Sequence, residues 1–147
     1  MPVNPEFAGR VYPPSAPYGV SAAKIKEFAE AVGATDPAHT DRAAAQARGY
    51  RDVIAPPTFA VLVAQRAEME FIFDPEAGVD FSRVVHGEET FIHHRPMTAG
   101  DEIVGVLTVD SVKAAGVHTM IVTRTELSAG EEPVCTALST IVVRGGE

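Results

Sequence analysis

The sequence predicts an α+β fold: one domain over residues 1–147 in which a long central helix is wrapped by a curved antiparallel sheet. Three observations predict it. The length of 147 residues suits a single core. The stretch Thr58 to Phe71 is rich in helix formers and apolar on almost every side from Phe59 to Ala64, as in a helix enclosed by other structure. From Arg83 onward, β-branched runs alternate with Gly-containing turns, as in antiparallel strands.

Residues 1 to 20 hold five of the eleven prolines, so this arm is expected to lie extended and irregular over the surface. Ser21 caps a predicted helix at 22–32, where Ile25, Phe28, Ala29 and Val32 recur at helical spacing and Gly33 offers a left-handed stop. Thr40 is the expected cap of a short helix through Asp41 to Arg48, ending at Gly49. The central helix comes after Pro56-Pro57 and stops at Asp74-Pro75. Four strands are predicted: Arg83 to Arg95, Glu102 to Val112, Val117 to Leu127 and Pro133 to Arg144. Strands this long form a sheet able to curl around a helix, and its edge and outer face call for a dimer.

A formal charge of −8 opposes binding to nucleic acid or anionic lipid. No run is long and apolar enough to span a bilayer, and the start Met1-Pro2-Val3-Asn4-Pro5 has no signal-peptide pattern, so a cytoplasmic location is expected. The lone Cys135 sits in an apolar run and reads as a core residue. His86, His93, His94 and His118 do not make a metal site: adjacent His93 and His94 point to opposite faces of a strand, and no helical His pair or cysteine completes a set. No phosphate-binding strand–loop–helix unit is present, and no cofactor is expected.

The densest polar cluster runs from Gly33 to Asp41. His39 is the candidate base, since imidazole exchanges a proton near neutral pH, and Asp36 is the carboxylate nearby. The alternative is that Asp36 and Thr40 cap helical turns while His39 bonds to backbone.

The segment Gly33-Ala34-Thr35-Asp36-Pro37-Ala38-His39-Thr40-Asp41, then Ala43-Ala44-Ala45, then Val53-Ile54-Ala55-Pro56-Pro57-Thr58-Phe59, resembles the signature region of the MaoC-like (R)-specific enoyl hydratases and hydroxyacyl-thioester dehydratases. The resemblance continues through His86-Gly87-Glu88-Glu89 and Arg95-Pro96-Met97-Thr98-Ala99-Gly100-Asp101. It implies the hot-dog fold, normally dimeric. Within the group the chain is most similar to short actinobacterial proteins related to the noncatalytic A and C subunits of the mycobacterial (3R)-hydroxyacyl-ACP dehydratase. In those enzymes one subunit mainly lines the acyl channel while its partner holds the catalytic dyad.

Two departures from the active pattern stand out. Active members carry Gly-Asp, two residues, Pro, one residue, His; alignment on Pro37 and His39 puts Ala34 at the Asp position, with Asp36 two residues out of register. At the start of the central helix the active family has a Gly whose N–H polarises the thioester carbonyl, and here Pro57 has no N–H to give. Such a donor is worth on the order of a hundredfold in rate. The amides of Thr58 and Phe59 remain as first-turn donors.

The resemblance therefore implies catalytic candidates His39 and Asp36 and substrate-binding candidates Pro57, Thr58, Phe59 and Leu62. It implies acyl-CoA or acyl-ACP as ligand, in a homodimer or a heterodimer with a catalytic hot-dog subunit. Three functions fit: an acyl-thioester-binding subunit of a dehydratase, an autonomous homodimeric hydratase using His39, or a non-enzymatic acyl-CoA binding module. A thioesterase on the same fold fits less well. For an acidic carrier protein, Arg48, Arg51, Arg66, Arg83 and Arg95 are the residues whose clustering matters.

Overall fold

A computed structural model of the chain describes residues 3–146. Its order is β1 (Tyr18–Gly19), α1 (Ala22–Val32), α2 (Arg42–Ala47), α3 (Ala60–Ile72), β2 (Val84–His93), β3 (Glu102–Ala115), β4 (His118–Ala129) and β5 (Glu132–Val143). The five strands form one antiparallel sheet in the order β1-β3-β4-β5-β2. The sheet curls around α3, giving the hot-dog architecture.

Helix α1 spans its predicted residues: Ser21 Oγ accepts from the Lys24 amide, and Gly33 closes the helix at φ 70°. Helix α2 is capped by Asp41 instead of Thr40, the Asp41 carboxylate accepting from the Ala43 amide at 2.9 Å. Carboxylate and hydroxyl compete for adjacent cap positions, and here the carboxylate holds the place. The central helix proper starts at Ala60, because Pro57–Phe59 form a tighter 3-10 turn ahead of it.

The N-terminal arm is irregular and mostly exposed, as expected, but it also sends side chains into the core. Pro5–Phe7 make a 3-10 turn, and Val3 and Phe7 are buried beside Phe71 and Ile72 at the far end of α3. Tyr12 completes this closure by donating its hydroxyl to Asp74 at 2.8 Å. Gly105 lets the helix settle on the sheet: a Cβ there would meet Leu127, Thr125 and Ala67 at 3.2 to 3.3 Å. Cys135 is buried, and that burial pushes its thiol up to about 11, as befits a core residue.

Two core regions share α3. One surrounds Phe59, Ala60 and Val63 near the helix start and takes in Ile25, Ile103 and Val134. The other surrounds Phe71 and Ile72 near its end, with Leu107, Val109, Ile121 and Ile141 from the sheet.

The crossover from β2 to β3 runs past the start of α3 and is pinned at Asp101. This buried carboxylate accepts from Arg95 at 2.7 and 3.1 Å, from Arg51 at 2.7 Å and from the Thr98 amide at 2.8 Å. Burial works to raise the Asp101 carboxyl, but the bonds from Arg95 and the Thr98 amide outweigh it and hold the group below its usual value. Main-chain bonds Ala55 N to Met97 O and Ala99 N to Val53 O then lay the segment before α3 alongside the crossover.

Candidate functional site

At the start of α3 a cavity of about 490 Å³ opens among the loop of His39, the segment Ile54 to Pro57, and the end of β2. Its position is set by a short ladder. The Ile54 amide donates to Ala38 O at 3.0 Å, and the Ile54 carbonyl accepts from the His39 ring at 2.7 Å. Ala38, Ala45 and Ile54 pack as a small core beneath this loop, which fixes the backbone carrying His39.

A carbonyl only accepts, so His39 Nδ1 carries the ring proton and a neutral ring has its lone pair on Nε2. Nε2 has no partner among the described residues, and His39, only 7% exposed, lines the cavity. Both readings of this loop therefore meet in one residue: the ring bonds to backbone at one nitrogen and keeps the other available as a base.

Asp36 lines the same cavity but its oxygens are engaged. Oδ1 accepts from the Ala38 amide at 2.9 Å as cap of the Pro37–His39 turn, and Oδ2 pairs with Arg48 at 2.7 Å. The Ala38 amide first and Arg48 second hold its carboxyl below the usual range, so it stays ionised and is a poor proton carrier near neutrality. Ala34 donates its amide to Ala29 O as part of the α1 stop and does not line the cavity.

Pro57 and Phe59 line the cavity, whereas Thr58 is exposed outside its lining and Leu62 packs against the adjoining core. Of the two first-turn amides expected as donors, that of Phe59 is already bonded to Pro56 O at 3.0 Å. The 3-10 turn that proline imposes thus consumes it, leaving the Thr58 amide as the one without a partner among the described residues. The opening of the central helix accordingly offers fewer free amide donors than a glycine start would.

The structure adds cavity residues outside the candidate site set: Tyr50, His93, His94 and Met97. His93 donates Nε2 to Pro57 O at 2.8 Å, tying the end of β2 to the turn before α3. In the sequence the histidine pair raises only the question of a metal, and Met97 stands only within the resembling segment; among the described residues no group of three or more His, Cys, Asp or Glu side chains is placed to hold an ion. The five arginines relevant to a carrier divide. Arg48 and Arg95 stand at the cavity and Arg51 joins Arg95 on Asp101, while Arg66 lies over the Tyr18 ring and Arg83 binds the carbonyls of Arg144 and Gly146.

Glu68 is a residue that sequence reasoning misses. It sits on α3 facing the sheet, only 3% exposed, and one oxygen accepts from the Thr123 hydroxyl at 2.8 Å while the other has no partner among the described residues.

Comparison with known proteins agrees with this architecture. The UPF0336 protein of Saccharopolyspora erythraea is 51% identical over 146 residues, 99% of this chain and 94% of that protein. A C-terminally truncated HadBC (3R-hydroxyacyl-ACP dehydratase) complex from Mycobacterium tuberculosis matches with a TM-score of 0.83 at 27% identity, covering 92% of this chain and 96% of that one. A MaoC-like dehydratase matches with a TM-score of 0.80 at 30% identity, covering 95% of this chain and 42% of that one. The family model for the FAS1-like dehydratase domain region matches residues 6–137. The chain therefore belongs to the FAS1-like dehydratase-region family, with the MaoC-like hot-dog fold.

Proposed function

We propose that this chain is the acyl-thioester-binding subunit of a (3R)-hydroxyacyl-thioester dehydratase or (R)-enoyl hydratase in fatty-acyl metabolism, working in the cytoplasm with acyl-CoA or acyl-ACP. A second hot-dog chain supplies the complete Asp and His dyad. One observation carries the reading: His39 stands at the cavity with no free carboxylate to share its work, since position 34 is alanine and Asp36 is spent on a cap and an ion pair. Hydration needs a group to activate water and a group to deliver a proton to the carbon next to the carbonyl. Here one imidazole is available for both.

The ligand fits the surroundings. The cavity combines the apolar surfaces of Phe59, Ala60 and Met97 with the cations Arg48 and Arg95. Apolar walls suit an acyl chain, and fixed guanidinium groups suit the phosphates of the carrier arm. The likeness to a chain of the HadBC dehydratase complex supports a two-chain enzyme.

The test is coexpression with a hot-dog chain bearing intact Gly-Asp and His. Copurification and crotonyl-thioester hydration that arises only in the mixture are expected; full activity from the single chain contradicts the reading. A second reading, an autonomous homodimeric hydratase, is favoured by the unpartnered Nε2 of His39. On that reading His39→Ala reduces hydration by the single chain to background.

A further inference from the structure

The face of the sheet that α3 covers carries one polar row. Glu89 on β2 lies opposite Ser139 on β5, and Ser139 lies opposite Thr123 on β4, so the three side chains share a face across adjacent strands. Glu68 comes down on this row from the helix, and its Oε2 accepts from the Thr123 hydroxyl at 2.8 Å. Thr123, Ser139 and Glu68 are 1%, 4% and 3% exposed, and Glu89 at the sheet edge is half-buried. The setting is otherwise core: Ala137 and Ile141, the neighbours of Ser139 on the same face of β5, are buried apolar residues.

Two atoms in this group, Glu68 Oε1 and Ser139 Oγ, have no hydrogen-bond partner, and no other buried side-chain nitrogen or oxygen among the described residues is left so. Both stand beside Thr123. A buried carboxylate oxygen needs a donor or a cation, and a buried charge with neither is strongly destabilising. Neither Glu68 nor Glu89 has an ion-pair partner among the described residues. Burial first, and the Glu68 charge in addition, raise the Glu89 carboxyl above its usual value against the pull of Ser139 and His86, so the two acids act on one another across the row.

We propose that Glu68, Ser139 and Glu89, together with Thr123, bind a hard metal cation that clamps α3 to the sheet. The donors are oxygens throughout, two carboxylates and two hydroxyls, which is the ligand chemistry of hard cations and not of zinc or copper. The two carboxylates match the charge of one divalent ion. The Thr123 hydroxyl, its proton directed at Glu68, keeps lone pairs for the ion, and Ser139 Oγ has both of its own. The hydroxyls thus make up a set in which only two side chains are acids. Calcium accepts an irregular cage of this kind, whereas magnesium demands a near-ideal octahedron and holds on to several waters, which this buried row does not accommodate. None of the four residues lines the cavity at the start of α3, so the site is separate from the one proposed for the acyl thioester.

The test uses no substrate, so its outcome is independent of the acyl chemistry. Thermal unfolding of the full chain, stripped of metal by a chelator, is followed with calcium, magnesium, sodium or potassium chloride against tetramethylammonium chloride at equal ionic strength. That comparison separates occupation of a site from screening of the net charge of −8. A saturable rise of the midpoint that depends on the identity of the cation is expected, with calcium the most effective. Glu68→Gln, nearly isosteric, and Ser139→Ala are each expected to weaken the apparent cation dissociation constant by about tenfold or more. Both remove an unpartnered buried group, so each is expected to fold without the cation, and the second guards against a defect peculiar to the first. Glu30→Gln on exposed α1 makes the same change of charge away from the row and is expected to have no effect. Midpoints that are the same for every cation, or a cation-specific rise that survives both Glu68→Gln and Ser139→Ala, overturn the proposal.

Discussion

The two ends of the central helix are closed in different ways. At the end of α3, Phe71 is fully buried, with Phe7 and Tyr12 at 6.3 Å ring to ring, and the N-terminal arm seals the contact. At its start, Phe59 is equally buried against Phe28 and Tyr18, yet its surroundings open into a cavity with His39, Arg48 and Arg95 at its walls. The difference lies in the chain laid beside the aromatic anchor: an apolar arm at one end, a hydrogen-bonded loop at the other. One end of the helix is sealed, and the other is packed on one side and open to a cavity on the other.

Truncation of the closed end breaks this comparison hardest. Phe71→Ala is expected to cost about 3–5 kcal/mol of unfolding free energy, measured by urea titration, while acyl-CoA affinity of the folded protein stays unchanged. A loss of affinity equal to that of a cavity variant erases the distinction. Next comes the Asp101 anchor near the open end. Asp101→Asn leaves Arg95 with Glu132 as its one charge partner among the described residues, removes the partner of Arg51, and is expected to cost about 2–3 kcal/mol. Because the folded carboxyl lies below its ordinary value of 3.8, its contribution is complete above that pH and is lost as pH falls through the lowered folded value. Wild type and variant should therefore converge in stability in strong acid.

Smaller effects sharpen the same contrast. Tyr12→Phe removes the bond to Asp74 at the sealed end and is expected to cost about 1 kcal/mol, again without altering ligand affinity. At the open end, Arg48→Ala is expected to let the Asp36 carboxyl rise toward its ordinary value, as followed by NMR titration, with the Ala38 amide still restraining it. A fixed Asp36 titration would mean that the ion pair at 2.7 Å does not hold in solution.

The closed end and the open end are not equally legible in the sequence. The central helix, α1 and the four long strands are readable because apolar runs, β-branched residues and turn glycines act locally. The arm reads as surface because five prolines announce an irregular backbone without saying that Val3 and Phe7 are buried. His39 is legible by type and Asp36 by proximity, but their division of labour is not. It depends on the carbonyl of Ile54 and the guanidinium of Arg48, 15 and 12 residues away. Pro57 announces its missing amide, yet the loss of the Phe59 amide to the same turn is a matter of three-dimensional geometry. Glu68 looks like an ordinary helix-surface acid, since its spacing does not reveal that the sheet curls over that face.

On the proposed function the cavity receives an acyl thioester while this chain alone has incomplete chemistry for it. The most direct measurement follows crotonyl-CoA with the purified single chain, wild type and His39→Ala side by side, recording binding by calorimetry and hydration by absorbance. Saturable binding with hydration at background in both proteins is the predicted result. Sustained wild-type turnover that disappears in His39→Ala contradicts it.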